Sequence, residues 1–201
     1  MIVIGLCGGS GSGKGEVSHI FAEFGIPAID LDAVYHDITS KPSDCLDELT
    51  KAFGVEILAD NGALDRSRLR HIVFNSENSD QKLKLLNKIS HHYVLKKTEL
   101  IIEDYKNNGA SAVIIDAPLL FESGYNQKCN IIIGVIANKD IRIERIIRRD
   151  GIDRESAELR ISKQLSDEYI SANSDFIIVN NHSIESLRKE VYKIIKNTLH
   201  L

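Results

Sequence analysis

The stretch Gly8 to Gly15 reads GGSGSGKG, and its residue types and spacing fit one chemistry, the cradling of phosphate. Gly8, Gly13 and Lys14 occupy the fixed positions of GxxxxGK[ST], where glycines let backbone N–H groups converge on phosphate oxygens and the lysine reaches the β and γ phosphates. A helix beginning at the lysine adds partial positive charge. A glycine-rich turn with an incidental lysine is the alternative. On the first reading Gly9, Gly11, Ser12, Gly13, Lys14, Gly15 and Glu16 are candidate contacts to a nucleoside triphosphate. The last position of the motif departs from the pattern, because Gly15 lacks the hydroxyl that serves as a direct Mg²⁺ ligand in such loops. Water can fill that position, since Mg²⁺ keeps several waters. Glu16 can alternatively reach the ion from the first helical turn, or simply face solvent and favour the helix N-terminus.

Other residues could complete a phosphoryl transfer. A hydroxyl nucleophile needs a carboxylate to orient it and accept its proton, and Asp32, just after the short run Pro27 to Asp30, suits that role and a share in Mg²⁺. Asp32 as a helix N-cap is the competing reading, with Asp30 equally placed. Asp116 ends the apolar run AVIID, the strand-then-acid arrangement that holds Mg²⁺ or its waters; capping the turn into Pro118 is its alternative. Arg145 and Arg149 lie four apart on one helical face, flanked by Arg142 and Arg148. A guanidinium on a closing segment stabilises the charge spread over a phosphoryl group and helps exclude water. A solvated basic face paired with Glu144 and Asp150 is the competing account. Arg160 and Gln164 share a second face of that segment. Asn180 and Asn181 follow an apolar run at an edge where ligands collect, to line a base pocket or to form a turn. His91 and His92 are adjacent, so on a helix their rings diverge by about 100° and cannot chelate one ion. His36, four residues after Asp32, is expected to pair with that carboxylate rather than bind zinc.

The elements that must position these groups are legible as apolar runs. Ile2 to Cys7, Ala112 to Asp116, Ile131 to Ala137 and Phe176 to Val179 read as strands covered on both faces, with Pro27 to Asp30 a weaker fifth. Helical patterns cover Lys14 to Phe24, Gln81 to Asn107, Ile141 to Asp150, Glu155 to Leu165 and Ile184 to Leu199. Their alternation predicts an α/β fold with a parallel sheet flanked by helices. Residues 33–108 lack a convincing strand and read as a helical insertion, and 142–166 as an arginine-rich lid. The core comprises 1–32, 109–141 and 167–201. The 201 residues suffice for a sizeable core. A formal net charge of -4 gives no overall reason to expect nucleic-acid or anionic-membrane binding. Three cysteines, Cys7, Cys45 and Cys129, have neither disulfide nor zinc spacing, and no leader or long apolar segment precedes the first glycines. A reduced, cytoplasmic protein is expected. Cys7, at a strand end, is expected to be buried and inert.

Further segments appear in fixed order: AIDLDAVYHDI, LNKISHHYV, IIDAPLLFESG, RIERIIRRDGIDRESAELRISKQLSDE and DFIIVNNHS. With the glycine loop they make the chain resemble the dephospho-coenzyme A kinase family from Ile4 to about Leu199. That family carries GLTGGxGSGKS, an IDAD segment, a PLLFE segment and an arginine-bearing lid. Cys7 and Gly15 stand where it usually has Thr and Ser or Thr. The resemblance implies a P-loop kinase core with a five-stranded parallel sheet, a coenzyme-binding insertion and a mobile lid. It implies transfer of the ATP γ-phosphoryl group, with Mg²⁺, to the ribose 3′-hydroxyl of dephospho-coenzyme A, the last step of coenzyme A biosynthesis. Lys14, Asp32 and Arg145 become the catalytic set, and Asp32 and Asp116 the metal ligands, with Glu16 as a further candidate. ATP contacts extend to Arg145 and Asn181. Asp32, His91, Asp116, Pro118, Leu119 and Arg149 fall at the substrate, although helix packing for His91 and core packing for Leu119 and Leu120 fit equally. ATP and dephospho-coenzyme A are the partners of a monomer or small homo-oligomer.

Two other functions fit parts of the pattern. A P-loop kinase for another nucleotide or small alcohol shares the core and lid, and is disfavoured by the joint presence of DLD, PLLFE and RISKQ. A nucleotide-binding regulatory protein that lost turnover with its two hydroxyls would bind ATP and form no product.

Overall fold

The run IVIGLC, with no polar residue to turn toward water, forms the central strand of a five-stranded sheet in the computed structural model, which describes residues 1–198. The elements in chain order are β1 (Ile2–Cys7), α1 (Lys14–Glu23), β2 (Ala28–Asp30), α2 (Leu31–Thr39), α3 (Asp44–Phe53), α4 (Arg66–Phe74), α5 (Ser79–Asn107) and β3 (Ala112–Asp116). They continue with β4 (Ile131–Ile136), α6 (Lys139–Asp150), α7 (Arg154–Ser162), α8 (Asp167–Ala172), β5 (Phe176–Val179) and α9 (Ile184–Thr198). The sequence expectation for the last helix reached Leu199, which lies outside the described residues. The short α8, not expected from the sequence, is capped by Ser166, whose side chain accepts the Tyr169 N–H.

Strand order is β2-β3-β1-β4-β5. β1 pairs in parallel with β3 on one side and β4 on the other, and β4 with β5. The chain fills the β3 side first and then crosses to the β4 side, so the carboxyl ends of β1, β3 and β4 flank a topological switch point, where open α/β sheets bind ligands. Ile4, Leu6, Ile114, Ile133, Val135 and Ile178 of the strands pack with Val17, Ile20 and Phe21 of α1 and Leu187, Val191 and Ile195 of α9. The three-and-four spacing of those helical residues gives each helix one apolar stripe toward the sheet. This packing fixes where α1 begins relative to the strand ends, and with it the loop between.

α6 and α7 share a smaller core of Ile143, Ile146 and Ala157. The expected lid boundary at Arg142 falls inside α6, a continuous helix from Lys139 in which Arg142 is itself buried.

The chain divides into two compact units, Met1–Ile29 with Tyr105–Leu201, and Asp30–Asp104, the latter against the expected insertion at 33–108. Within the second unit Cys45, Leu46, Leu49 and Phe53 of α3 and Leu69 and Val73 of α4 are buried. Ser43 and Asp65 cap these helices by accepting first-turn N–H groups.

Candidate active site

The loop Gly8–Gly13 leaves β1 at the carboxyl edge of the sheet and delivers the chain into α1. Gly13 is the N-cap residue, at φ 93° in the left-handed region, and no side chain caps the helix. The Glu16 and Val17 N–H groups both donate to the Gly13 carbonyl, at 3.0 and 3.1 Å, and the positive end of the helix dipole faces whatever binds in front of it. What lies in front is a cavity of about 720 Å³, lined by the loop, Lys14, Gly15, Glu16, Asp116, Pro118, Arg145 and Arg149.

Asp116 ends β3 opposite Leu6 of β1, one residue short of the strand end. That register brings its carboxylate to the Lys14 ammonium, and the two form an ion pair in which each side chain is 16% exposed. Arg145 reaches the same loop from α6. One of its Nη atoms donates to the carbonyls of Gly11 (3.1 Å) and Ser12 (3.3 Å), and the other to the Asn180 carbonyl (3.1 Å). Arg145, expected on a closing lid, is anchored on the phosphate loop in this structure. Arg149 also lines the cavity, but its guanidinium is bound to Asp150, which Arg160 contacts as well.

The loop glycines answer to more than phosphate approach. A Cβ on Gly9 would lie 2.2 Å from an Nη of Arg142, and one on Gly11 would lie 2.5 Å from the Arg142 carbonyl. Gly15 differs: a Cβ there would meet nothing within 4 Å. Packing therefore does not exclude a hydroxyl at this position. Ser12 is buried, with its hydroxyl enclosed.

Several expected positions are reassigned. Asn181 does not line the cavity; its side-chain oxygen accepts the Asn138 N–H at 2.7 Å and ties the β5 end to the start of α6. Asn180 is the lining residue, because its N–H continues the sheet to Ile136 and its amide donates to the Ser12 carbonyl at 2.8 Å. Arg160 and Gln164 do not act as one face: α7 ends at Ser162, so Gln164 turns to the phosphate loop while Arg160 turns to Asp150. Leu119 is 56% exposed and Leu120 buried, so only the second packs as core. Leu119 lines a smaller cavity of about 50 Å³ with Cys7, Gly8 and Phe121.

In the second unit Asp30, not Asp32, is the N-cap of α2, accepting the N–H groups of Asp32 and Ala33. Asp32 is exposed in the first turn, where its charge favours the helix N-terminus. The expected pairing of His36 with Asp32 does not form; His36 is exposed and lines a shallow hollow with Arg66. His91 is half-buried, and desolvation lowers its pKa below the ordinary histidine value. Among the described residues no group of three or more His, Cys, Asp or Glu side chains forms a metal cluster. Burial raises the Cys7 thiol above its ordinary range, as expected for an inert cysteine.

Sequence reasoning missed His182, Ile184 and Leu187, which line the cavity beyond Asn180 and offer an imidazole and two apolar side chains. The carboxyl-edge argument that selected the asparagines applies equally to the residues that follow them. Arg142 was also undervalued: it precedes Ile143 and lies four before Ile146, both buried, which places it on the apolar face of α6.

This arrangement has close relatives. The dephospho-CoA kinase family model matches residues 2–186. A dephospho-CoA kinase from Fusobacterium nucleatum is 41% identical over 192 residues, covering 95% of each chain. The solved structure of a Thermus thermophilus protein superposes with a TM-score of 0.80 at 28% identity, covering 98% of this chain and 97% of that one. A dephospho-CoA kinase structure from Campylobacter jejuni does so at 0.71 and 27% identity, with the same coverage. No helix among the described residues is long and apolar enough to cross a membrane. A P-loop kinase core, a lysine and two arginines converging on its phosphate loop, and these full-length matches have one reading: the chain is a phosphotransferase that belongs to the dephospho-CoA kinase family.

Proposed function

We propose that this chain transfers the γ-phosphoryl group of ATP to the ribose 3′-hydroxyl of dephospho-coenzyme A, yielding coenzyme A and ADP, the final step of coenzyme A biosynthesis. The observation that carries the reading is the convergence of Lys14, Asp116 and Arg145 on one phosphate loop.

The N-terminus of α1 and the glycine loop receive the ATP phosphates, and Lys14 turns from Asp116 to the β and γ phosphates as they arrive. Asn180, His182, Ile184 and Leu187 also line the cavity and suit a nucleobase, a flat group with an apolar face and a polar edge. Mg²⁺ fits the donor set, since it requires hard oxygens and takes one or two carboxylates beside substrate phosphates. Asp116 would hold it once exchanged from Lys14, with Glu16, which also lines the cavity, as a further candidate donor and water in place of the hydroxyl that Gly15 lacks. When bound, the ion neutralises charge on the phosphate oxygens.

Asp32 is assigned to the acceptor hydroxyl, which it orients and whose proton it accepts; its exposed carboxylate is available for that work. Arg145 stabilises the charge that develops on the transferring group. Arg149, Pro118, Leu119 and His91 are assigned to the coenzyme substrate. The unbridged Cys7, Cys45 and Cys129 suit a reducing cytoplasm, with ATP and dephospho-coenzyme A as partners of a monomer or small homo-oligomer.

Incubation with ATP, Mg²⁺ and dephospho-coenzyme A, followed by mass spectrometry, is expected to give coenzyme A with one added phosphate and stoichiometric ADP. ATP binding without that product would overturn the reading.

A further inference from the structure

Arg142 is 4% exposed, although it carries a charge and does not line the cavity. A buried guanidinium is retained only where its donors are met and its charge balanced. Its Nε donates to the Ser10 carbonyl at 3.0 Å, and one Nη to Asp167 Oδ1 at 2.9 Å. The other Nη faces Gln164 Oε1 at 3.5 Å, and that same oxygen accepts the Ser10 N–H at 2.8 Å. Both backbone polar groups of Ser10 are therefore held by one cluster.

This hold has a directional consequence. In a trans peptide the carbonyl of one residue and the N–H of the next point in opposite directions. Drawing the Ser10 carbonyl back to Arg142 turns the Gly11 N–H away from Arg142. Gly11 lines the cavity and Arg142 does not, which makes this N–H a candidate donor to a phosphate bound there. The glycines fit the arrangement, because a side chain on Gly9 would collide with the guanidinium and one on Gly11 with the Arg142 backbone.

We propose that Arg142, charge-balanced by Asp167 and coupled to Gln164, is a positioning residue that sets the phosphate loop in its anion-receiving conformation before ATP arrives. The inference rests on the reading of this loop as the ATP site. Preorganisation of this kind lowers the cost of binding and acts on the ground and transition states alike, so its loss falls on nucleotide affinity rather than on turnover.

The test is the Arg142→Ala variant, with Kd for ATP and ADP measured by calorimetry beside steady-state kinetics and thermal melting. The expected result is a rise of about tenfold in both Kd values and in KM for ATP, with KM for dephospho-coenzyme A unchanged and kcat within about twofold. Arg142→Lys is not expected to rescue, because an ammonium cannot bridge the three partners of a planar fork. Asp167→Asn leaves the guanidinium in place and is expected to weaken ATP by about threefold; it carries the test if Arg142→Ala does not fold. A merely structural residue would lower the melting temperature or the active fraction and leave KM for ATP at the wild-type value. That outcome, or a matching rise in both KM values, overturns the inference alone. A wild-type protein that binds no ATP overturns the functional reading, and this inference with it.

Discussion

Lys14 and Asp116 neutralise each other in the lining of the cavity, the lysine from the first turn of α1 and the aspartate from the end of β3. Under the proposed function, the cation assigned to phosphate rests on the anion assigned to metal. Binding of ATP with Mg²⁺ would then be an exchange in which both groups change partners and neither is left uncompensated in a half-buried site, where an unpaired charge is costly.

Replacing Asp116 by Asn breaks that exchange on the metal side. Initial rates measured across a Mg²⁺ titration should show kcat reduced about 100-fold, with half-saturation moved to higher Mg²⁺. ATP binding without metal should be unchanged or tighter, since Lys14 no longer leaves a carboxylate. An unaltered Mg²⁺ profile would remove Asp116 from the metal site.

Gly15 offers the converse experiment. With open space where a Cβ would sit, Gly15→Ser should be accepted without rearrangement. Serine exceeds glycine in helix propensity by about 0.5 kcal/mol, so the melting temperature should rise by about 1 to 2 °C. Half-saturation by Mg²⁺ should fall if water now stands where the new hydroxyl would bind. A lower melting temperature would contradict the open geometry.

Arg145 is bonded to three backbone carbonyls of the resting site, so its removal should act on two parameters. Arg145→Ala is expected to lower kcat by about 100-fold or more, the effect of losing one transition-state donor of roughly 3 kcal/mol. It should also raise KM for ATP, because Gly11, Ser12 and Asn180 lose their common tie. Near-normal kcat would place the catalytic positive charge elsewhere.

Asp150 lies between Arg149 and Arg160, and their hydrogen bonds and charges, Arg149 foremost, hold its carboxyl down at about 2. The folded value is below the ordinary 3.8, so the stabilisation is complete above about pH 4 and is lost as pH falls toward 2. Melting curves of wild type and Asp150→Asn should differ at neutral pH and converge in that acidic window. Parallel curves down to about pH 2 would show that the pair does not persist in solution.

Four of the five strands were legible because each is a largely continuous apolar run, the pattern of a sheet covered on both faces, while the short β2 gave a weaker signal; the phosphate loop was legible because its glycines and lysine are contiguous in the chain. Roles that depend on distant partners were not. Arg142 reads as one more charge in an arginine-rich segment until its carbonyl acceptor, 132 residues earlier, and its aspartate, 25 residues later, are brought to it. Asn180 and Asn181 are chemically identical neighbours, and only the sheet hydrogen bond from Asn180 to Ile136 determines which one faces the cavity. Asp30 and Asp32 were equal candidates for a cap, and the helix start at Leu31 assigned it to Asp30.

The contact between Gly9 and the Arg142 guanidinium also makes the two positions epistatic. A side chain at position 9 has no room while Arg142 is held by Ser10, Gln164 and Asp167, so an alanine there should be harmful in this background and tolerable beside a shorter residue at 142. Substitutions at these sites are expected to accumulate with 142 first, and a motif glycine that looks dictated by the nucleotide is in part dictated by an arginine outside the cavity lining.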